Sequence, residues 1–221
     1  MLKLYHSPTS PNSRRVWIAL LEKDLTFELV SLNLNGEQFQ PEFLEVNPFH
    51  HVPALVDDGK CVIESLAILD YLEAKYPTPA LMPTDAMAVA IVRMVEMVTV
   101  NELMPAIAPL LPIFLGLPVG ESEKIVQAQK ISTVLKFFES LLGDRPYFGG
   151  DRITLAEVFA GTVIPQLPSL GISLGDYPKM SDWSDRLMGR AAWAITQPSR
   201  EALEVTKTRI KAAIARQPSD S

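Results

Sequence analysis

One cysteine, Cys61, stands in 221 residues, so no disulfide can form within the chain. A scaffold stapled by cystines is excluded, and a reducing, cytoplasmic setting fits. Positive charge is also short: 20 Lys and Arg against 26 Asp and Glu give a formal net charge of −6. That balance argues against a protein that holds nucleic acid by overall charge. Only the adjacent Arg14 and Arg15 leave room for a local basic patch. The N-terminus lacks a basic-then-apolar signal pattern. No uncharged apolar run reaches about 18 residues, so no membrane span is expected. The most apolar stretch, Ala86 to Val100, is broken by Arg93 and Glu96. Internal repeats and low-complexity segments are missing too. What remains is an ordinary globular balance, 48% hydrophobic and 21% charged, long enough for one large or two modest domains.

The patterning changes near Pro77. Before it, strands and helices alternate. Leu2 to Tyr5 reads as a strand, Ser10 to Lys23 as a helix and Phe27 to Leu32 as a second strand. Gln40 to Glu45 reads as a helical turn. Ala54 to Val56 and Val62 to Ile63 flank Asp57-Asp58-Gly59-Lys60, a hairpin signal. Ser65 to Lys75 reads as a helix. The order βαβ–ββα predicts a small mixed sheet with helices packed on it. Tyr76 to Pro83 is a proline-rich connector, placing one domain at 1–77, a linker at 78–85 and a second domain at 86–221.

The second region reads as helical. Thr84 or Asp85 caps a helix to about Leu103, apolar on more than one face through Met87, Ala90, Ile91, Met94, Val95, Met97 and Val98. Burial on several sides is expected, with room for contact with a second subunit. Glu121 to Leu142 is a long helix. Thr154 and Glu157 form a capping box, with Ile153 and Val158 at hydrophobic-staple positions. Met180 to Arg190 and Arg200 to Ala215 are the last helices, and Arg216 to Ser221 should fray.

Three places could carry chemistry. Ser10 before Pro11 is a good N-cap followed by a good first helical residue. It reads as a plain cap, the commoner use of such a serine, or as a donor to an anion at the positive end of the helix. A thiolate is such an anion, and with no cysteine nearby the thiol must come from a ligand. Val52-Pro53 precedes a strand, where proline is usually trans punctuation. Glu64-Ser65 starts the next helix. Ser65 reads as an N-cap, and Glu64 beside it could hold an ammonium group.

Taken together, this order of elements resembles the cytosolic glutathione transferase family over nearly the whole chain. The most specific pieces are Asn47-Pro48-Phe49-His50-His51-Val52-Pro53-Ala54-Leu55 and Ile63-Glu64-Ser65-Leu66-Ala67-Ile68. The resemblance implies a thioredoxin-like α+β N-terminal domain, an all-α helical-bundle second domain, a homodimer, and glutathione as co-substrate, with no metal. It implies that Ser10 hydrogen-bonds the glutathione sulfur as the catalytic residue, in the manner of the theta-, phi- and zeta-like branches. Val52 would pair with the cysteinyl backbone, presented by a cis Pro53. Glu64 and Ser65 would hold the γ-glutamyl end, and His51 and Gln38 would lie near the glycine carboxylate. Ser7, Thr9, Asn12 and Ser13 are rival donors at the sulfur. An apolar electrophile pocket is expected from Met104, Ile107, Leu111 and Phe114.

The departures narrow the expected chemistry. No cysteine occupies positions 7–13, which counts against the disulfide-exchange branches. A zeta-type Ser-Ser-Cys run is replaced by Ser10-Pro11-Asn12, which counts against a dedicated maleylacetoacetate isomerase. Conjugation or peroxide reduction is the expected activity. A partner protein without catalysis and a glutathione-dependent isomerase or dehalogenase are the alternatives.

Overall fold

A computed structural model describes residues 1–216. Residues 217–221, and with them most of the expected frayed tail, lie outside the described residues. Contacts divide the chain into two compact units, Met1–Leu72 with 195–221, and Glu73–Ala194. The expected boundary at residue 77 falls five residues later than this division. The last helix, assigned above to the second domain, groups with the first, through long-range bonds that no local pattern encodes.

The first unit opens with β1 (Leu2–His6), α1 (Pro11–Glu22) and β2 (Phe27–Ser31). A short α2 (Pro41–Leu44) leads to β3 (Ala54–Asp57), β4 (Lys60–Ile63) and α3 (Ser65–Lys75). The sheet order is β2-β1-β3-β4, with β1 parallel to β2 and antiparallel to β3. Central Leu4 registers with Leu29 on one side and Leu55 on the other. Leu4, Val16, Ile18, Leu20, Leu55, Ile68 and Leu72 are fully buried and form the core. Gly59, at φ +80, follows Asp58 in the β3–β4 turn, as the Asp-Gly pair requires. Arg14 and Arg15 are both buried, so they form no surface patch. Burial pulls the Arg14 pKa down to about 10, so it keeps its charge at neutral pH.

The second unit begins with α4 (Ala86–Val98), capped by Asp85, whose carboxylate accepts from Ala88 N–H at 2.9 Å. The helix does not stop at Leu103. It continues through a π-helical segment Thr99–Leu103, α5 (Met104–Ile107), a 3₁₀ turn Ala108–Leu110 and α6 (Leu111–Phe114). Pro105 and Pro109 have no N–H for the carbonyls one turn back, which accounts for the changes of winding. The whole run Ala86–Phe114 is long and apolar enough to cross a membrane by length and composition. Within it Arg93 bonds the fully buried Glu96 at 2.8 Å, and Val92, Val95 and Leu103 are buried against protein. The predicted many-sided burial is not found. Met87, Met94 and Met97 are exposed, Met87 by 67%.

Next come α7 (Glu121–Leu142), α8 (Leu155–Ala160), a 3₁₀ stretch Ile164–Leu170, α9 (Pro178–Met188), α10 (Ala191–Ile195) and α11 (Arg200–Arg216). The capping box of α8 forms as expected. Its Glu157 is fully buried and accepts from Thr154 N–H and Oγ1–H, Phe148 N–H and Trp183 Nε1–H at 2.7–3.3 Å. Burial pushes its pKa up, opposed by these four donors. Ile153 and Val158 are both buried at the staple positions.

Candidate active site: a cavity at the start of helix α1

Within the first unit a cavity of about 460 Å³ is lined by Ser10, Asn12, Leu34, Gln38, Asn47, His50, His51, Val52, Pro53, Glu64 and Ser65. Every glutathione-site residue expected from sequence stands in this wall. They arrive from four separate connections, each with its own local cause.

Ser10 is the N-cap of α1, with extended backbone (φ −85, ψ 117) and its Oγ accepting from Ser13 N–H at 3.3 Å. The capping and catalytic readings are therefore compatible. The cap bond uses a lone pair, and the hydroxyl proton is committed to no acceptor among the described residues. The rivals are placed differently. Ser7 and Ser13 are buried and bonded to each other, Ser7 N–H to Ser13 Oγ at 3.2 Å. Thr9 Oγ1 is 2.9 Å from Thr206 Oγ1. Only Asn12 also faces the cavity, and its Oδ1 accepts from Arg15 at 2.8 Å.

The Val52–Pro53 peptide is cis. So is Thr78–Pro79, which the sequence reading did not anticipate. Val52 precedes β3, and no described residue bonds its backbone N–H or C=O. A peptide ligand could use both. Behind this segment Asn47 Nδ2 donates to the His51 carbonyl at 2.8 Å, and Asn47 Oδ1 accepts from Phe49 N–H at 3.0 Å. The buried Asn47 thus shapes the turn that presents His50 and His51. His50 was given no role in the sequence reading. Its φ of +50 turns it into the cavity wall beside His51, their ring centroids 5.4 Å apart.

At the end of β4, Glu64 takes φ +66, a left-handed conformation costing about 1–3 kcal/mol in a residue with a Cβ. It carries the cap role expected of Ser65: the Glu64 carbonyl accepts from Ile68 N–H at 2.8 Å, so Ser65 is the first helical residue. The exposed Glu64 carboxylate faces the cavity beside the free N–H groups of α3. Leu34 and Gln38 come from a loop closed on itself, where Gln38 Oε1 accepts from Gly36 N–H at 3.1 Å. Leu34, Val52, Tyr5 and Ile63 pack on buried Leu32, Phe43 and Ala54, which back the wall.

Leu34, Asn47 and His50 were missed from sequence. Asn47-Pro48 is a turn signal that could have implicated its neighbours; Leu34 had none. The electrophile residues Met104, Ile107, Leu111 and Phe114 line neither this cavity nor a second one of about 550 Å³ in the helical unit. Ile107 is 9% exposed and belongs to the core of that unit, while Leu111 is exposed. The helical spacing behind that expectation describes core packing equally well.

Such a lining, with the Val52 backbone unpaired among the described residues and Glu64 at one side, suits a small polar ligand. Residues 4–80 match the model "Glutathione S-transferase, N-terminal domain", and residues 98–191 match "Glutathione S-transferase, C-terminal domain". The chain belongs to the glutathione S-transferase family. It is 33% identical to maleylacetoacetate isomerase of Mus musculus, covering 90% of this chain and 93% of that protein. It is 41% identical to a glutathione S-transferase zeta class of Euphorbia esula, covering 72% of each chain. Among solved structures, glutathione transferase F7 from Populus trichocarpa superposes with a TM-score of 0.78 at 29% identity, covering 92% of this chain and 99% of that one. A glutathione transferase homolog from Sulfitobacter with bound glutathione gives 0.73 at 28% identity, covering 89% and 97%. The fold is therefore a thioredoxin-like N-terminal domain followed by a helical domain, and the chain is a transferase of glutathione.

Among the described residues no three His, Cys, Asp or Glu side chains gather as a metal site. Cys61, on β4, donates Sγ–H to the Val46 carbonyl at 2.9 Å, and burial raises its pKa.

Proposed function

We propose that this protein activates the thiol of glutathione with Ser10 and transfers the thiolate to an apolar electrophile. The observation that carries this reading is the uncommitted Ser10 proton at the N-terminus of α1, in the wall of the cavity. An ordinary thiol has a pKa near 8.5. A hydrogen bond to the charged sulfur contributes about 1.5–3 kcal/mol and the helix end about 0.3–1 kcal/mol. At about 1.36 kcal/mol per unit the pKa falls by roughly one to three units, leaving mostly thiolate at neutral pH. Attack on the electrophile follows, helped by positioning.

In this reading Val52 pairs with the cysteinyl backbone, with Pro53 presenting it. Glu64 accepts the γ-glutamyl ammonium, and Ser65 with the α3 N–H groups holds the adjoining carboxylate. His51 and Gln38 serve the glycine end. The acceptor in this reading is an apolar electrophile. A cytoplasmic homodimer is the working state, joined across the exposed Met87, Met94 and Met97 face of α4. Light scattering on the Met94→Lys variant checks that assembly, which should dissociate.

A second reading has an observation of its own. Relatives from Mus musculus and Rattus norvegicus that cover 90% of this chain are named maleylacetoacetate isomerase. Isomerisation through a glutathione adduct would use the same thiolate. Retention on a glutathione-affinity resin, followed by a panel of electrophiles, hydroperoxides and maleylacetoacetate with glutathione, tests both. Conjugation faster than isomerisation supports the first reading, and the reverse supports the second. Retention without turnover on any substrate supports a binding protein.

A further inference from the structure

The last helix, α11, belongs with the first unit, and its inward face meets two loops of the cavity wall. Ala202, Leu203, Thr206, Arg209 and Ile210 are half-buried and fall on one helical face. From that face Thr206 Oγ1 lies 2.9 Å from Thr9 Oγ1, the residue immediately before Ser10. One turn on, Arg209 Nη1 donates to the Asn33 carbonyl at 2.5 Å, immediately before Leu34. Neither Thr206 nor Arg209 lines the cavity.

Both loops are otherwise closed on themselves. In the first, Ser10 N–H bonds the Ser7 carbonyl, Ser7 N–H bonds Ser13 Oγ, and Ser13 N–H bonds Ser10 Oγ. In the second, Asn33 donates its N–H and Nδ2 to the Glu37 carboxylate, and Gln38 Nε2 donates to the Leu34 carbonyl. A loop knitted only to itself keeps its shape and can still move as a body. A bond to α11 limits that freedom. Two bonds one turn apart on a single helix also fix the two loops relative to each other.

We propose that Thr206 and Arg209 are positioning residues of the glutathione site: α11 is a clasp that holds Ser10 and the Leu34–Gln38 wall in register. The proposal rests on the glutathione reading above and adds a division of labour. Thr206 acts through Thr9 on the sulfur end, and Arg209 acts through Asn33 on the glycine end. Losing one should change the thiol pKa, and losing the other should change affinity.

The test uses the full chain with Arg209→Gln, Thr206→Val and Thr206→Ser. Amide hydrogen exchange without glutathione should speed up about five-fold at 33–38 in Arg209→Gln and at 7–10 in Thr206→Val. Half-saturation for glutathione should rise about five-fold in Arg209→Gln, with turnover at saturation unchanged. The bound thiol pKa should rise in Thr206→Val and return in Thr206→Ser, which keeps the hydroxyl. Unchanged exchange at both loops overturns the clasp, whatever glutathione does. Loss of melting temperature alone, without the split between affinity and thiol pKa, also overturns it and leaves α11 as packing. A wild-type protein that binds no glutathione refutes the glutathione reading instead, and the exchange arm still decides the clasp.

Discussion

The two units differ in where their backbone is forced. Among the described residues, five non-glycine positions have positive φ: Asp24, Leu34, His50, Asp58 and Glu64. All five lie in Met1–Leu72, and three of them line the cavity at the start of α1. Asp24 and Asp58 are turn residues that tolerate this conformation through their short polar side chains. Leu34 and Glu64 have no such excuse, and each costs about 1–3 kcal/mol, while histidine, like Asp, is enriched in this region. In Glu73–Ala194 the left-handed positions described are all glycines. There Glu157 is buried under four donors, and Trp193 Nε1 donates to the Gly161 carbonyl at 3.1 Å. One unit tolerates strain where its side chains line a cavity. The other keeps positive φ to glycine and satisfies Glu157 and Trp193 where they are buried.

Trp183→Ala should break the second unit hardest. The side chain is fully buried, stacks edge-on with Phe148 at 5.7 Å and bonds Glu157. A loss of about 3–5 kcal/mol in denaturant unfolding is expected, and a loss under about 1 kcal/mol would mean the core can close around the gap. Glu64→Gln should leave stability nearly unchanged, since the carboxylate is exposed, and raise the half-saturation for glutathione about ten-fold or more. Equal affinity in steady-state kinetics would remove Glu64 from the ammonium site.

His6 sharpens the comparison from the other direction, because it is a buried titratable group in the strained unit. It is 2% exposed, and burial lowers its pKa to about 4. The unfolded chain, with an ordinary histidine near 6.5, binds the proton first. Stability is therefore complete above pH 6.5 and falls as pH drops from 6.5 towards 4, by up to about 1.4 kcal/mol per pH unit. Unfolding titrations of wild type and His6→Phe should show that slope in the first only. The smallest effect is expected at Cys61. Its thiol is spent on the Val46 carbonyl, outside the cavity, so Cys61→Ser should keep most conjugating activity in a rate assay. Loss of activity with the fold intact would favour thiol chemistry at Cys61.

What the sequence could and could not convey follows from the range of each interaction. Thr154 and Glu157 were readable, and the α4 cap was narrowed to Thr84 or Asp85, because a cap is decided within about four residues. Ser10, Gln38, His51, Val52, Pro53, Glu64 and Ser65 reached one cavity wall through a resemblance whose motifs span whole turns. The swap of roles at Glu64 and Ser65 depends on one φ angle, which composition does not encode. His50 and Leu34 enter the wall for the same reason. The exposure of Met87, Met94 and Met97 was invisible because an apolar helix face looks alike whether it meets core or solvent. The docking of α11 onto the first unit rests on pairs such as Thr9 with Thr206, 197 residues apart.

The central claim is that Ser10 stabilises a bound thiolate, and thiolate absorbance of glutathione against pH measures it directly. In wild type the bound thiol should titrate well below the ordinary 8.5. Ser10→Ala removes the donor and leaves the helix end and Pro11 in place. The midpoint should then rise by about one to two units, and turnover near neutral pH should fall about ten-fold or more. Superimposable curves for the two proteins would contradict the claim, hand the sulfur to another donor such as Asn12, and return Ser10 to capping alone.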